Sequence, residues 1–156
     1  MANTPTHEQA QLHLQVYDLR REPRLRQARD WFQQNYRADN VEEAMRIAAP
    51  GTEGGTNFGM VIGYWEQACA LLNYGLLHED LFFETSGEFF FVWESLKTLA
   101  PQFREQFKDP TMLKNLEQTA TRFEEWKNQR SPGHIAAMRE WMQQERAKAK
   151  GAAAGS

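Results

Sequence analysis

Residues 57–77, NFGMVIGYWEQACALLNYGLL, decide the fold of this chain. Their apolar side chains recur at the spacing of one helix face, in a stripe made of Phe58, Val61, Ile62, Trp65, Cys69, Leu72 and Leu76. A second stripe contains Met60, Tyr64, Ala68, Leu71 and Gly75, so the helix is apolar around most of its circumference. A helix of this kind is buried on most sides. We therefore predict a central helix over about residues 57–77, with Trp65, Cys69 and Leu72 in the core.

The remaining face of this helix is narrow and contains Gly59, Gly63, Glu66, Ala70 and Asn73. Small residues four positions apart allow another backbone to approach closely. Glu66 and Asn73 would then be buried polar groups that need partners.

Helix signals flank the central segment on both sides. Prolines and cap residues predict helix starts or breaks near Thr6, Pro23, Asn40, Thr85, Pro101, Asp109 and Ser131. The run Phe89-Phe90-Phe91-Val92-Trp93 is also compatible with a strand, but the cap pattern before it favours a helix. We predict an all-α fold, a single-domain antiparallel bundle of six to seven helices around the central helix.

Length and composition predict one domain over residues 1–147, followed by a flexible tail over 148–156 that is rich in Ala and Gly. Cys69 is the only cysteine, which excludes an intramolecular disulfide. The first residues are polar, and no run of about 18 apolar residues occurs. These features predict a cytoplasmic protein with no membrane association.

The charges are distributed unevenly along the chain. Between Arg46 and Lys97 there is no Lys or Arg, although the same stretch holds seven Asp or Glu residues. Helix starts explain most of these acids, but they do not explain Glu66 and Glu94. The simplest prediction for Glu66 is a buried ion pair with Arg26 or Arg29, since the stretch has no cation of its own. Solvent exposure and contact with a ligand or metal remain as alternatives.

Several functional classes lack their sequence patterns. The glycines do not form a phosphate-binding loop, and one Cys with four scattered His does not match a zinc site. A carboxylate-bridged metal site in a helical bundle needs Glu-x-x-His, which is absent. Acidic residues interleave with the arginines of residues 20–29, which argues against nucleic-acid binding. We predict no cofactor, no metal and no catalytic residue.

The aromatic residues suggest an alternative to simple core packing. Tyr64, Tyr74 and Trp93, together with Glu66 and Glu94, could line a pocket for an apolar or amphipathic ligand. Core packing is the simpler use of these aromatic side chains.

A family resemblance rests on three segments: residues 64–81, YWEQACALLNYGLLHEDL; residues 91–94, FVWE; and residues 123–126, FEEW. With these segments, residues 20–127 resemble small bacterial helical proteins of a domain-of-unknown-function family. Such proteins share a Glu in the central helix, a Gly-Leu turn followed by an acid, and a Trp in the next helix. The resemblance implies an all-helical fold and a bacterial origin. Many members carry an N-terminal membrane helix, which is not recognisable in this chain.

Together these observations predict a non-catalytic helical module of a bacterial cytoplasm that binds a protein partner or forms a homo-oligomer. The alternatives are a protein that binds a small apolar or amphipathic ligand and, third, an enzyme that uses Glu66 and Glu94.

Overall fold

A computed structural model describes residues 3–156 and is helical over most of this range. Within it the helices are α1 (His7–Arg20), α2 (Pro23–Asn35), α3 (Val41–Ile47), α4 (Glu53–Asn73), α5 (Glu79–Thr85), α6 (Glu88–Leu96), α7 (Ala100–Gln106), α8 (Lys114–Arg130) and α9 (His134–Ala154). None of the described residues forms a strand, so the all-α prediction is confirmed and the strand alternative for residues 89–93 is wrong. The described helices number nine, more than the six or seven predicted. Their antiparallel arrangement stays a prediction.

The chain divides into two compact units, the first ending at Ala120 and the second running from Thr121 to Ser156. Helix α8 continues through this boundary. In the second unit, Ile135 is buried, and the two guanidinium nitrogens Nη1 and Nη2 of Arg139 donate to the Glu124 carboxylate at 2.8 and 2.7 Å. The segment predicted as a flexible tail is helical up to Ala154. Its alanines and lysines have high intrinsic helix propensity.

Local capping explains where the first three helices begin. The Thr6 side chain accepts from the Gln9 backbone N–H, and Gln9 returns a bond to Thr6, which completes a capping box before α1. Glu22 accepts the backbone N–H groups of Arg24 and Leu25 at the start of α2. These bonds lower the pKa of the Glu22 carboxyl. In α3, the Asn40 side chain accepts from Glu43 N–H at 2.8 Å.

Helix α4 is the centre of the first unit. Trp65, Cys69 and Leu72 are 1%, 0% and 4% exposed, as predicted. Helix α2 packs along α4 and contributes Ala28 and Phe32 to the core. Helix α4 begins at Glu53, four residues earlier than expected, because the Thr52 side chain accepts the Gly55 N–H and caps this helix. It ends at Asn73, just before Gly75 adopts a φ of +76°.

The helices predicted to start near Thr85 and Asp109 begin later than expected, at Glu88 and Lys114. The Thr85 hydroxyl donates to Leu81 O and does not cap α6, which starts after Gly87 without a side-chain cap. Before α8, the backbone turns through positive φ values at Lys108 (53°) and Leu113 (61°). Because these conformations interrupt a right-handed helix, α8 begins only at Lys114.

The predicted close backbone approach on α4 occurs at different glycines. A Cβ atom on Gly59 or Gly63 would meet no atom within 4 Å, so the small-residue face does not carry the contact. A Cβ on Gly55 would instead lie 2.1 Å from the Ala49 carbonyl oxygen, and one on Gly54 would lie 2.3 Å from that of Ile47. The first turn of α4 therefore touches the chain that follows α3.

We expect Gly55→Ala to destabilise the fold by about 2 kcal/mol or more, because its methyl group would overlap backbone atoms that cannot rotate away. Gly59→Ala is the matched control in the same helix. Gly59→Ala should stabilise the folded state by about 0.5–1 kcal/mol, since Gly in a helix interior is entropically unfavourable. Urea unfolding of both variants measures the difference, and equal midpoints would contradict the close approach.

Within residues 3–156, no helix has both the length and the apolar character required to cross a bilayer.

Candidate ligand-binding site

An apolar cavity of about 320 Å³ lies in the first unit, within residues 36–113. It is lined by Tyr36, Ala44, Met45, Ala48, Pro50, Gly55, Phe58, Ile62, Phe103, Phe107, Met112 and Leu113. These residues come from the residue that follows α2, from α3 and the segment after it, from the first half of α4, and from α7 and the segment after it. No charged side chain belongs to the lining.

The aromatic rings of Tyr36 and Phe58 form part of the cavity wall. The rings of Phe32 and Tyr36 stack with centroids 4.9 Å apart, and those of Tyr36 and Phe58 lie 5.2 Å apart. Tyr36 is 2% exposed, so this wall is anchored in the core. A rigid aromatic surface of this kind gives an apolar ligand a large contact area.

Two lining residues, Gly55 and Leu113, depend on special backbone geometry. Gly55 permits the close contact of α4 with the chain after α3, and it is itself part of the lining. Leu113 lines the cavity in a left-handed conformation, with φ of 61°, and is only 6% exposed. Arg104 holds this segment because its Nε donates to Met112 O at 2.8 Å, while its Nη2 bonds the Glu117 carboxylate.

The rim of the cavity contains Phe107, which is 51% exposed, and the exposed Pro50. Met45 and Met112 are half-buried in the lining. Methionine side chains are flexible and fit ligands of irregular shape. The cavity can therefore receive an apolar group from solvent and adjust to it.

The site residues predicted from the sequence do not lie in this cavity. Tyr74 is 82% exposed at the end of α4, and Trp93 is half-buried in α6. The Tyr64 hydroxyl donates to Val16 O at 2.7 Å, and burial raises the pKa of Tyr64 to about 12. Glu66 and Glu94 do not line this cavity either.

The predicted ion pair between Glu66 and Arg26 or Arg29 is not formed. Glu66 instead accepts N–H groups at the start of α8: Oε1 is 3.0 Å from Asn115 N, and Oε2 is 2.9 Å from Leu116 N. The Asn115 side-chain amide adds a third bond at 3.0 Å. Unpaired N–H groups at a helix N-terminus carry partial positive charge, so the carboxylate has a partner without any cation.

The two arginines have other roles. Arg29 binds Glu88 in a bidentate pair, Nε to Oε1 at 2.8 Å and Nη2 to Oε2 at 2.5 Å. This pairing raises the pKa of the Arg29 guanidinium. Arg26 donates to Arg21 O at 3.5 Å, and Glu94 pairs with Lys97 at 2.6 Å. Arg29 therefore does pair with a carboxylate of the acid-rich stretch, but that carboxylate is Glu88 and not Glu66.

Sequence reasoning placed the lining residues Phe58 and Ile62 on the inward face of the central helix and did not recognise a cavity. Periodicity shows which residues point inward, but it does not show whether they meet or leave a gap. The sequence signal that could have indicated the cavity was the Pro50-Gly51 and Gly54-Gly55 pairs, since Pro50 and Gly55 belong to its lining.

Within the range that the structure covers, no three His, Cys, Asp or Glu side chains lie close enough together to hold a metal ion. The predicted absence of metal and cofactor stays a prediction.

Comparison with known proteins assigns the chain to a family without assigning it an activity. No curated protein and no solved structure matches the sequence significantly. A family model, described as a domain of unknown function (DUF4760), matches residues 5–123. This match includes all the elements that line the cavity, and it confirms the resemblance to a domain-of-unknown-function family. Since the match covers most of its length, the chain belongs to the DUF4760 family.

Proposed function

We propose that this domain binds a small apolar or amphipathic ligand, with the apolar part of the ligand in the cavity between α2, α3, α4 and α7. The observation that carries the proposal is a cavity of about 320 Å³ whose lining has no charged residue. Small-molecule sites typically enclose about 300–1,000 Å³ and are lined mainly by apolar and aromatic side chains.

The lining chemistry supports an aliphatic or aromatic group as the occupant. Burying a charge there would be costly, because no lining residue could neutralise it. Each methylene group moved from water into the cavity contributes about 0.8 kcal/mol. A ligand with one apolar end and one polar end would leave its polar end at the rim, beside the half-exposed Phe107.

The positions of the acidic residues support a non-catalytic role. The Glu66 carboxylate is engaged by three N–H groups, and Glu94 pairs with Lys97. Neither side chain lines the cavity. An enzyme that uses both carboxylates is therefore less well supported than a binding protein.

Thermal unfolding in the presence of straight-chain alcohols from 1-hexanol to 1-decanol tests the proposal. We expect the melting temperature to rise with probe concentration, and the increase to grow with chain length until the cavity is full. A ligand that binds only the folded state raises the free energy of unfolding by about 2.7 kcal/mol when its free concentration is about one hundred times its Kd.

Ala48→Leu is the blocking variant, because Ala48 lines the cavity and a larger side chain would occupy it. Ala137→Leu is the control, since Ala137 is exposed in the second unit and gains the same apolar atoms. We expect Ala48→Leu to abolish the alcohol effect and Ala137→Leu to retain it. The proposal is wrong if no alcohol stabilises the natural sequence, or if both variants respond equally.

The interaction or assembly module remains a second candidate, supported by exposed apolar side chains on α1. Leu14 is 64% exposed and Tyr17 is 45% exposed, and they lie three residues apart on one helix face. Exposed apolar groups can mark a surface that binds another protein. Sedimentation velocity of the natural sequence and of Leu14→Ser tests whether this face supports self-association.

A further inference from the structure

One part of the wall of the apolar cavity is a short non-helical segment, residues 107–113, here called the strap. It connects α7 to α8. Phe107, Met112 and Leu113 of the strap belong to the cavity lining. The strap therefore contributes side chains to the wall without the support of a helical backbone.

Each end of the strap has a non-glycine residue in the left-handed region, with φ of 53° at Lys108 and 61° at Leu113. Side chains other than glycine rarely adopt this conformation. At Lys108 it closes α7, because the Lys108 N–H donates to Glu105 O at 3.2 Å and the Asp109 N–H donates to Arg104 O at 3.0 Å. These two bonds form a Schellman motif, in which glycine is the usual residue at the position of Lys108. The first end of the strap is thus a strained form of a common helix end.

Leu113 differs from the residue usually found before a helix. Its carbonyl oxygen accepts the Glu117 N–H at 3.0 Å, and a residue at this position normally has an extended backbone and a polar side chain that caps the helix. Leu113 has neither, and Glu66 of α4 accepts the N–H groups at the start of α8 instead. The Leu113 side chain is 6% exposed and lines the cavity. Strained residues persist only where their surroundings hold them, and they concentrate at ligand clamps and switch regions.

The Arg104 side chain holds the strap next to this strained residue. Its Nε donates to Met112 O at 2.8 Å, and its Nη2 bonds the Glu117 carboxylate. The Arg104 side chain is 14% exposed, so water competes little for these bonds. Loss of the bond to Met112 would free the backbone of the strap beside Leu113.

Between its two ends the strap is an internally bonded turn. Asp109 Oδ1 accepts the Thr111 N–H at 2.9 Å and the Thr111 hydroxyl at 2.6 Å, and the Met112 N–H donates to Asp109 O at 3.3 Å. The ring of Pro110 restricts φ at the residue between them. A change of shape is therefore concentrated at the two left-handed ends.

The other walls of the cavity are supported more firmly. Tyr36 and Ala44 are 2% and 3% exposed, so both are embedded in the core. The segment after α3 is also non-helical, but the Gly55 backbone packs closely against the Ala49 carbonyl oxygen and fixes it. Ligand-binding loops are drawn from the parts of a protein that open at a low cost in free energy.

We infer that the strap is the movable wall of the apolar cavity. It swings outward when Arg104 releases Met112 O and Leu113 leaves its left-handed conformation, and it closes again over the apolar group of a ligand. The strain at Leu113 favours opening, and the Arg104 bond opposes it. The role of this motion in ligand entry rests on the proposed function, but the motion itself is measurable without a ligand.

Thiol labelling measures the opening of the strap. Ala44→Cys introduces a thiol into the cavity wall at a position that is 3% exposed, and Ala137→Cys introduces one at an exposed position of the second unit. Methyl methanethiosulfonate, a small neutral reagent, converts each thiol to a mixed disulfide, and mass spectrometry of the digested protein follows each site. The natural Cys69 is 0% exposed and reports opening of the whole core in the same samples. We expect the thiol of Ala44→Cys to react about a hundredfold more slowly than that of Ala137→Cys, but faster than Cys69.

Arg104→Lys, combined with Ala44→Cys, should speed labelling of the introduced thiol about tenfold, because the Nε–H that donates to Met112 O is lost. This variant keeps a cation beside the Glu117 carboxylate, so the fold is retained and the Cys69 rate should not change. Arg104→Gln removes the cation as well and should speed labelling further. Arg139→Gln is the matched control, since it removes an arginine–carboxylate pair of the second unit and should leave the labelling rate as it is.

Three results would overturn the movable strap. The cavity would be open without any motion if the thiol of Ala44→Cys reacted as fast as that of Ala137→Cys. Arg104 would not hold the strap closed if Arg104→Lys left the rate unchanged or if Arg139→Gln raised it equally. Opening would be global if the introduced thiol and Cys69 reacted at the same rate. None of these results depends on alcohol binding, so the thermal unfolding test decides the proposed function separately.

Discussion

Replacing Trp65 with alanine should lower the free energy of unfolding by about 3–5 kcal/mol, which approaches the whole stability of a domain of this size. Trp65 is 1% exposed, and its ring lies 4.8 Å from that of Tyr64 and 6.1 Å from that of Phe89. Its removal leaves a large void at the centre of the first unit, and the surrounding helices cannot collapse fully to fill it.

Urea or thermal unfolding measures this effect. Tyr74→Ala is the control, because Tyr74 is an aromatic residue at the end of the same helix but is 82% exposed. It should change stability by less than about 0.5 kcal/mol. A folded Trp65→Ala variant with an unchanged melting temperature would show that the core has been misplaced.

Replacing Glu66 with alanine should lower the free energy of unfolding by about 2–4 kcal/mol, the second-largest effect we expect. The carboxylate accepts the N–H groups of Asn115 and Leu116 and the side-chain amide of Asn115. Each hydrogen bond to a charged group contributes about 1.5–3 kcal/mol, and water at this half-buried position replaces part of the loss. Glu66→Gln should also lower the free energy of unfolding, because its amide keeps one acceptor oxygen but turns an NH2 donor toward one of the two backbone N–H groups.

A double-mutant cycle distinguishes this role from the ion pair predicted by sequence reasoning. Glu66→Gln and Arg29→Gln should be additive within about 0.5 kcal/mol, because the two side chains share no partner. Glu88→Gln and Arg29→Gln should instead show coupling, since their side chains form a bidentate pair. Strong coupling between Glu66 and Arg29 would contradict the arrangement described above.

The polar contacts between α4 and α8 extend beyond Glu66. The Asn73 side-chain amide donates to Asn115 Oδ1 at 2.9 Å, and the buried Thr119 hydroxyl donates to Asn73 Oδ1 at 3.3 Å. Glu66 and Asn73, the polar residues of the narrow face of α4, thus both form hydrogen bonds with the first turns of α8. Such directional bonds can fix the register between two helices.

The sequence by itself determined the helical class, the central helix and the core residues Trp65, Cys69 and Leu72. These features depend on local periodicity, cap residues and prolines, which act within a few positions along the chain. Short breaks were harder to predict: the positive φ values at Lys108 and Leu113, which delay α8, have no glycine to signal them.

Only the tertiary structure decided which groups meet. Glu66 finds the N–H groups of a helix 49 residues away, and Arg29 finds Glu88, 59 residues away. A buried carboxylate can be stabilised equally by a cation or by a helix start, so its sequence position leaves the partner open. The cavity is also a tertiary feature, because a gap between helices depends on how their inward faces fit and not on which residues face inward.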